Sequence, residues 1–218
     1  MSAISPQACL DPAKIERQSF AAIDALVPAP RPFAGGEWEV ARRLVHTSAD
    51  FELLELLRFS ARAVSAGVAA LRSGAIIVTD TRMCQAGIPL RRLTPLGCRT
   101  VCYMNDPELE ARARELGVTK ARLAVDRASA LEEPLIFAVG NAPTALLRLL
   151  ELMDQGMAHP ELVIGMPVGF VNAAESKGLL LERRDVDYIT IKGRKGGSAL
   201  AAACVNALAE LALRAKPV

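Results

Sequence analysis

The chain has 218 residues, 51% hydrophobic and 4% aromatic, and its 26 basic against 24 acidic side chains give a formal net charge of +2. A length of this order suits a single α/β domain, which buries roughly 70% of its unfolded surface, while the near-even charge and scarce aromatic rings argue against a nucleic-acid surface. The longest apolar run, Ala199 to Val205, meets Asn206 and Glu210 before it could span a bilayer, and the opening Met-Ser-Ala-Ile-Ser-Pro lacks the regions of a signal peptide, so a soluble, cytoplasmic chain without membrane partners is expected.

Ile15, Phe20, Ile23 and Leu26 recur at helical spacing from Asp11 to Leu26, until Pro28-Ala-Pro-Arg-Pro32 and Gly35-Gly36 impose a loop. Ser19 lies on that helix and by itself carries no signal. A second helix, about Glu37 to Val45, delivers His46 near its end, with Arg43 one turn earlier on the same face. From Leu53 to Leu71 the apolar, alanine-rich pattern reads as helix, with a break near Phe59.

A regular alternation begins at Ala75-Ile-Ile-Val78. Four more short apolar runs follow, at Arg99 to Tyr103, Leu135 to Val139, Leu162 to Ile164 and Tyr188 to Ile191. Helical stretches separate them: Asp80 to Ala86, Pro107 to Leu116, Lys120 to Leu131, Pro143 to Met157 and Ala173 to Arg183, with Ser198 to Leu213 closing the chain. Short strands without alternation suit a sheet covered on both faces, so the expected fold class is a three-layer α/β/α arrangement with a mainly parallel sheet of about five strands. Parallel strands end on one side. Asp80-Thr81, Asn105-Asp106, Gly140-Asn141, Gly165 to Gly169 and Gly193 to Gly197 are therefore expected at one edge.

Two of these turns are polar, Gly-rich elbows that lead into helices: Gly165-Met-Pro-Val-Gly169, continuing through Phe170 to Lys177, and Gly193-Arg-Lys-Gly-Gly197, continuing from Ser198. Helix starts leave amide hydrogens free and favour an anion by about 0.3–1 kcal/mol each, and glycine lets a ligand approach them. Lys177, Arg194 and Lys195 add formal charge beside those amides. Tight turning alone also explains the glycines. Capping of the following helix likewise explains Asn141 and Pro143, and the cap of a helix carrying Met83 explains Asp80 and Thr81.

Neither the dinucleotide nor the phosphate-loop glycine pattern occurs, and H-E-x-x-H and G-x-S-x-G are absent too. The five cysteines, Cys9, Cys84, Cys98, Cys102 and Cys204, form no C-x-x-C pair, so neither disulfides nor a metal site is indicated. Of the two histidines, His159 precedes Pro160 on what would be the amino-terminal edge and reads as structural or solvent-exposed. Histidine is the side chain best suited to gain or lose a proton near neutral pH, but a lone one such as His46 is more often structural than functional.

Ile15-Glu-Arg-Gln-Ser-Phe20, Arg43-Leu-Val-His46, Thr79-Asp-Thr-Arg-Met83 and Val139-Gly-Asn-Ala-Pro-Thr-Ala-Leu146, together with the two elbows, closely resemble the precorrin-8X methylmutases of cobalamin biosynthesis. The resemblance covers nearly the whole chain and is most specific from Gly165 to Lys177 and from Gly193 to Ser198. It implies an isomerase that moves a methyl group between adjacent ring carbons on ring C of a corrin precursor, giving hydrogenobyrinic acid or its cobalt-containing equivalent. It implies His46 as the catalytic residue, with Ser19 and Arg43 beside it, no added cofactor, and a homodimer with the pocket near the subunit interface. The chain would be one methylmutase-like domain, with a helical part to residue 60 carrying the histidine and the α/β core from 61 to 218.

The implied substrate is a flat, apolar macrocycle fringed with carboxylates. Met83, Met166 and Phe170 suit its floor, and Lys177, Arg194, Lys195 and the amides of Gly169, Gly196 and Gly197 suit its rim. The same resemblance places substrate contacts at Asp80, Thr81, Lys120, Gly140, Asn141, Thr144, Asn172, Ser176 and Ser198. Departures are Thr119-Lys120 where the family usually has Thr-Arg, with Arg122 following, and Thr47 where alanine usually follows the histidine. Two other readings fit the residues: a corrinoid carrier without catalysis, which has no use for His46, and a nucleotide-dependent enzyme on a Rossmann-like sheet.

Overall fold

A computed structural model describes residues 11–214; the opening segment and Cys9 lie outside the described residues. Two helices lead in, α1 (Pro12–Leu26) and α2 (Gly35–Ser48). The second buries Trp38, Val40, Ala41, Leu44 and Val45 along one side, and it ends where Ala49 turns left-handed at φ 54° and its N–H donates to the Val45 carbonyl at 2.7 Å.

The stretch expected as a broken helix from Leu53 to Leu71 is instead α3 (Leu53–Leu56), a strand β1 (Leu57–Phe59) and α4 (Ala63–Arg72). Five further strands follow, β2 (Ile76–Thr79), β3 (Arg99–Val101), β4 (Leu135–Val139), β5 (Leu162–Gly165) and β6 (Tyr188–Ile191). The sheet therefore has six strands, in the order β1-β6-β5-β4-β2-β3. β2 to β6 run parallel, whereas β1 lies antiparallel on β6 with Leu57 opposite Ile191 and Phe59 opposite Ile189. Local apolar content favoured helix across residues 57–59, and pairing with an otherwise open edge overrides it.

Alternate strand residues feed two separate cores, as the two-residue period requires. Ile77, Ala138, Ile164 and Ile189 face α2, α4 and α11 (Ser198–Leu213), while Val78, Phe137, Val163 and Tyr188 face α8 (Lys120–Ser129), α9 (Pro143–Asp154) and α10 (Ala173–Glu182). α11 is buried on every side from Leu200 to Ala209, which explains its lack of a polar face. The remaining helices are α5 (Arg82–Ala86) and α6 (Leu90–Leu93) after β2, and α7 (Pro107–Leu116) after β3. Among the described residues no helix is long and apolar enough to cross a membrane.

The chain leaves β2 toward β3 on one side and leaves β4 toward β5 on the other, so the carboxyl ends of the adjacent β2 and β4 form the topological switch point. In open α/β sheets that crevice is the usual place for a ligand.

Candidate functional site

In this chain the crevice is filled from within. The Asp80 carboxylate, just past β2, accepts the Gly140 N–H at 2.9 Å through Oδ1 and the Asn141 and Ala142 N–H groups at 2.7 and 2.6 Å through Oδ2. Burial pushes its carboxyl above the usual range while these amides pull against the shift. The donors that would greet an anion before α9 are thus already engaged. Asn141, a candidate cap for α9, makes no such bond and is exposed; Ala142 stands at the cap position and Asp80, from the neighbouring strand, takes the role. Thr81 caps α5 by accepting the Cys84 N–H at 3.0 Å, and its hydroxyl meets Ser198 Oγ at 2.8 Å. A Cβ on Gly140 would lie 2.6 Å from Ser198 Cα, so the β4 elbow rests directly on the start of α11.

The two glycine elbows lie against each other. Gly169 N–H donates to the Arg194 carbonyl at 3.2 Å and Gly197 N–H to that of Met166 at 2.9 Å, so these two amides, expected on the rim, are instead spent on joining the elbows. A side chain on Gly196 would collide with the Met166 carbonyl, which makes glycine obligatory there. Gly197, at φ 135°, has a backbone that glycine alone adopts readily. Between the first elbow and its helix Phe170 and Val171 form an exposed bend and Asn172 turns left-handed at φ 60°, so that α10 starts at Ala173, where the helical stretch was expected, and Phe170 to Asn172 lie outside it. Phe170 is 87% exposed and Met83 72%, while Met166 is fully buried and belongs to the core.

The cationic side chains divide into committed and free. Lys177 is 0% exposed, and its amine donates to the Lys195 carbonyl beneath the second elbow at 2.5 Å. Lys195 itself bridges Asp50 at 2.6 Å and Glu52 at 2.7 Å. Lys120 pairs with Glu110 at 3.1 Å, and Arg122, which follows it, holds both carboxylate oxygens of Glu151 at 2.9 and 2.5 Å. Arg194 is exposed and its guanidinium has no ion-pair partner among the described residues. Of the three cations expected on the rim, Arg194 is therefore the one without an ion pair or buried amine among the described residues, while Lys177 and Lys195 bond within the elbow region.

Burial pushes the Lys177 amine down to about 8 from an ordinary 10.5, because among the described residues no anionic group compensates for its lost water. Between those values the unfolded chain holds more protons than the folded one, so this group's penalty is full below about pH 8 and fades toward pH 10.5. The unfolding free energy of the wild type should accordingly gain on that of Lys177→Met as pH rises through this window in urea titrations. A flat difference would show that the amine is not desolvated.

His46 sits exposed in the last turn of α2. Its ring lies edge-on to Phe20 at 5.2 Å between centroids, and the Arg42 and Arg43 guanidinium carbons lie 4.6 and 5.1 Å from the same Phe20 ring. Arg43 is buried and spans two acids, Glu16 on α1 at 3.0 Å and Glu210 on α11 at 2.6 Å. It fixes three helices together. Ser19 donates to the Ile15 carbonyl at 3.0 Å, and Thr47 to that of Arg43 at 2.8 Å. Past the end of α2, Asp50 and Glu52 reach Lys195, which brings the histidine-bearing end to the second elbow.

Of the remaining expected residues, Thr144 Oγ1 accepts from Thr119 Oγ1 at 2.9 Å, and Ser176 is fully buried with its hydroxyl on the Ala173 carbonyl at 3.3 Å. His159 is exposed in the loop before β5, its Nε2 3.1 Å from the Gly156 carbonyl. An open groove of about 930 Å³ lies at the opposite, amino-terminal edge, lined by Ser60, Arg62, Glu161 and Arg183 to Tyr188, and has no part in the elbow cluster. Asp50 and Glu52 escaped sequence reasoning, and Phe20, read there only as an apolar residue of the first helix and of the family motif, meets His46. Only the i, i+4 and i, i+6 spacing from His46 offered a signal.

Residues 14–211 match the family described as precorrin-8X methylmutase. The chain is 44% identical over 196 residues to a precorrin-8X methylmutase of Pseudomonas aeruginosa, covering 89% of this chain and 93% of that protein. It is 44% identical over 204 residues to a cobalt-precorrin-8 methylmutase of Salmonella typhimurium, with 90% and 94% covered. A crystal structure of the precorrin-8X methylmutase from Thermus thermophilus superposes with a TM-score of 0.84 at 45% identity, over 92% of this chain and 96% of that one. With the match running from α1 to α11 and the fold shared, the chain belongs to the precorrin-8X methylmutase family.

Proposed function

We propose that the chain catalyses the intramolecular methyl shift on ring C of precorrin-8X, or of its cobalt-containing counterpart, to give the hydrogenobyrinic acid skeleton. Relatives of equal identity carry each substrate's name, so the proposal embraces both. The carrying observation is the convergence, at one sheet edge of a chain in this family, of the His46 helix end, two interlocked glycine elbows, the exposed Phe170 and the unpaired Arg194. An intramolecular shift needs no second substrate. It needs one conformer held fast and one group that protonates or hydrogen-bonds the ring, which is the task given to His46. Phe170 and Met83 supply apolar contact, and Arg194 and Asn172 meet peripheral carboxylates, since the Gly169 and Gly197 amides are spent on the bonds between the elbows.

The row Val168, Phe170 and Val171, 42%, 87% and 76% exposed, supports a homodimer in which this elbow lies at or beside the interface. A nucleotide-dependent reading loses ground because Asp80 already caps the amides at the switch point. Incubation with precorrin-8X under visible spectroscopy, with mass unchanged between substrate and product, tests substrate class and reaction together. Binding without a spectral change would identify a carrier, and no binding would end the corrinoid reading. Phe170→Asp should lower kcat/KM by about 10–100-fold, the scale of one lost aromatic burial. Unchanged kcat/KM would remove Phe170 from the floor and the interface alike.

A further inference from the structure

Lys195 and Lys177 stand one behind the other, and each has its partners within the protein. Lys195 Nζ lies 2.6 Å from Asp50 and 2.7 Å from Glu52. The segment carrying those acids is folded tightly onto the end of α2: Ala49 N–H donates to the Val45 carbonyl at 2.7 Å, Asp50 N–H to Ser48 Oγ at 3.2 Å, and Glu52 N–H to Asp50 Oδ1 at 3.0 Å. With the turn so crosslinked, a pull on Asp50 is transmitted to the last turn of α2, where His46 sits. Behind Lys195, its own carbonyl accepts the Lys177 amine at 2.5 Å, and Lys177 is rooted in α10, the helix that follows the first elbow. A fully buried amine whose recorded bond is to a neutral carbonyl is costly to keep. Here it fixes the backbone of the very residue that holds the histidine arm.

We propose that Lys177 and Lys195 form a two-stage pin that sets His46 against the glycine elbows, as positioning residues that do not touch the substrate. Loss of either stage loosens the same unit, from the end of α2 to the second elbow. Because catalysis depends on the imidazole's placement, the pin governs kcat. A rim ligand would instead govern substrate binding.

The effect on turnover rests on the proposed methylmutase reading, but the pin itself is tested without it. Hydrogen–deuterium exchange on the wild type, Lys195→Met, Lys195→Arg and Lys177→Met should show amides from Ser48 to Glu52 exchanging at least about tenfold faster in both methionine variants and restored in Lys195→Arg, whose fork can span both acids. Unchanged protection in Lys195→Met overturns the pin whether or not the chain converts a corrinoid. With precorrin-8X as probe, Lys195→Met should lower kcat about tenfold or more with KM within about threefold, and adding Asp50→Asn plus Glu52→Gln should bring little further loss. A rise in KM at constant kcat would make Lys195 a substrate ligand and overturn the proposal. If wild-type chain fails to convert precorrin-8X and cobalt-precorrin-8 while exchange behaves as stated, the functional reading falls and the pin stands.

Discussion

Replacing His46 with alanine is expected to lower kcat by about 10²–10⁴-fold, the range for a lost general acid, while corrinoid affinity changes only a few-fold. The imidazole is exposed at the end of α2 and touches Phe20 only edge-on, so its removal should leave the fold in place. The affinity should persist because the apolar floor and Arg194 belong to other elements. Single-turnover spectra and equilibrium titration, measured side by side, check both halves. Wild-type-like turnover would take the histidine out of the mechanism, and parallel loss of affinity would make it a binding group.

Asp80→Ala should be the most damaging exchange outside the histidine, for stability rather than chemistry. Three backbone donors, at Gly140, Asn141 and Ala142, lose their acceptor at once, and the carboxylate they share is buried beside Val78 and Val139. At about 1–3 kcal/mol for each buried donor left unmade, with water reaching the exposed Asn141 end, the net cost is about 3–5 kcal/mol. Chemical denaturation should show a lower midpoint at unchanged slope. A cost under about 1 kcal/mol would mean that these amides find other partners and that the crevice is not held by Asp80.

The parallel core was legible because its strands are doubly covered and helical stretches separate them: α7 and α11 begin and end where composition says they should, at Pro107, Leu116, Ser198 and Leu213. β1 was not, since three residues gain strand character only from the partner that pairs with them across 130-odd positions of chain. Glycines and cations marked the site, yet residue type cannot tell a cation that waits for a ligand from one that already has a partner. Arg194 and Lys195 are neighbours in sequence, and among the described residues one has no ion pair while the other is clasped by Asp50 and Glu52. The Asp80 cap was hidden for the same reason: it joins positions sixty residues apart, whereas Asn141 had the local spacing that capping rules reward.

The thick run of alanine in α11, Ala201, Ala202, Ala203, Ala207 and Ala209, all buried, acts as a spacer between the sheet and α2. Methyl groups set that gap at its narrowest, and the candidate site inherits its geometry from it, because one end of the rod follows an elbow and its flank carries the histidine helix. A bulkier residue deep in the rod would lever the two apart by a fraction of an ångström without approaching the substrate. Tolerance to change in this protein should thus be poorest along a buried axle that no inspection of the pocket would single out.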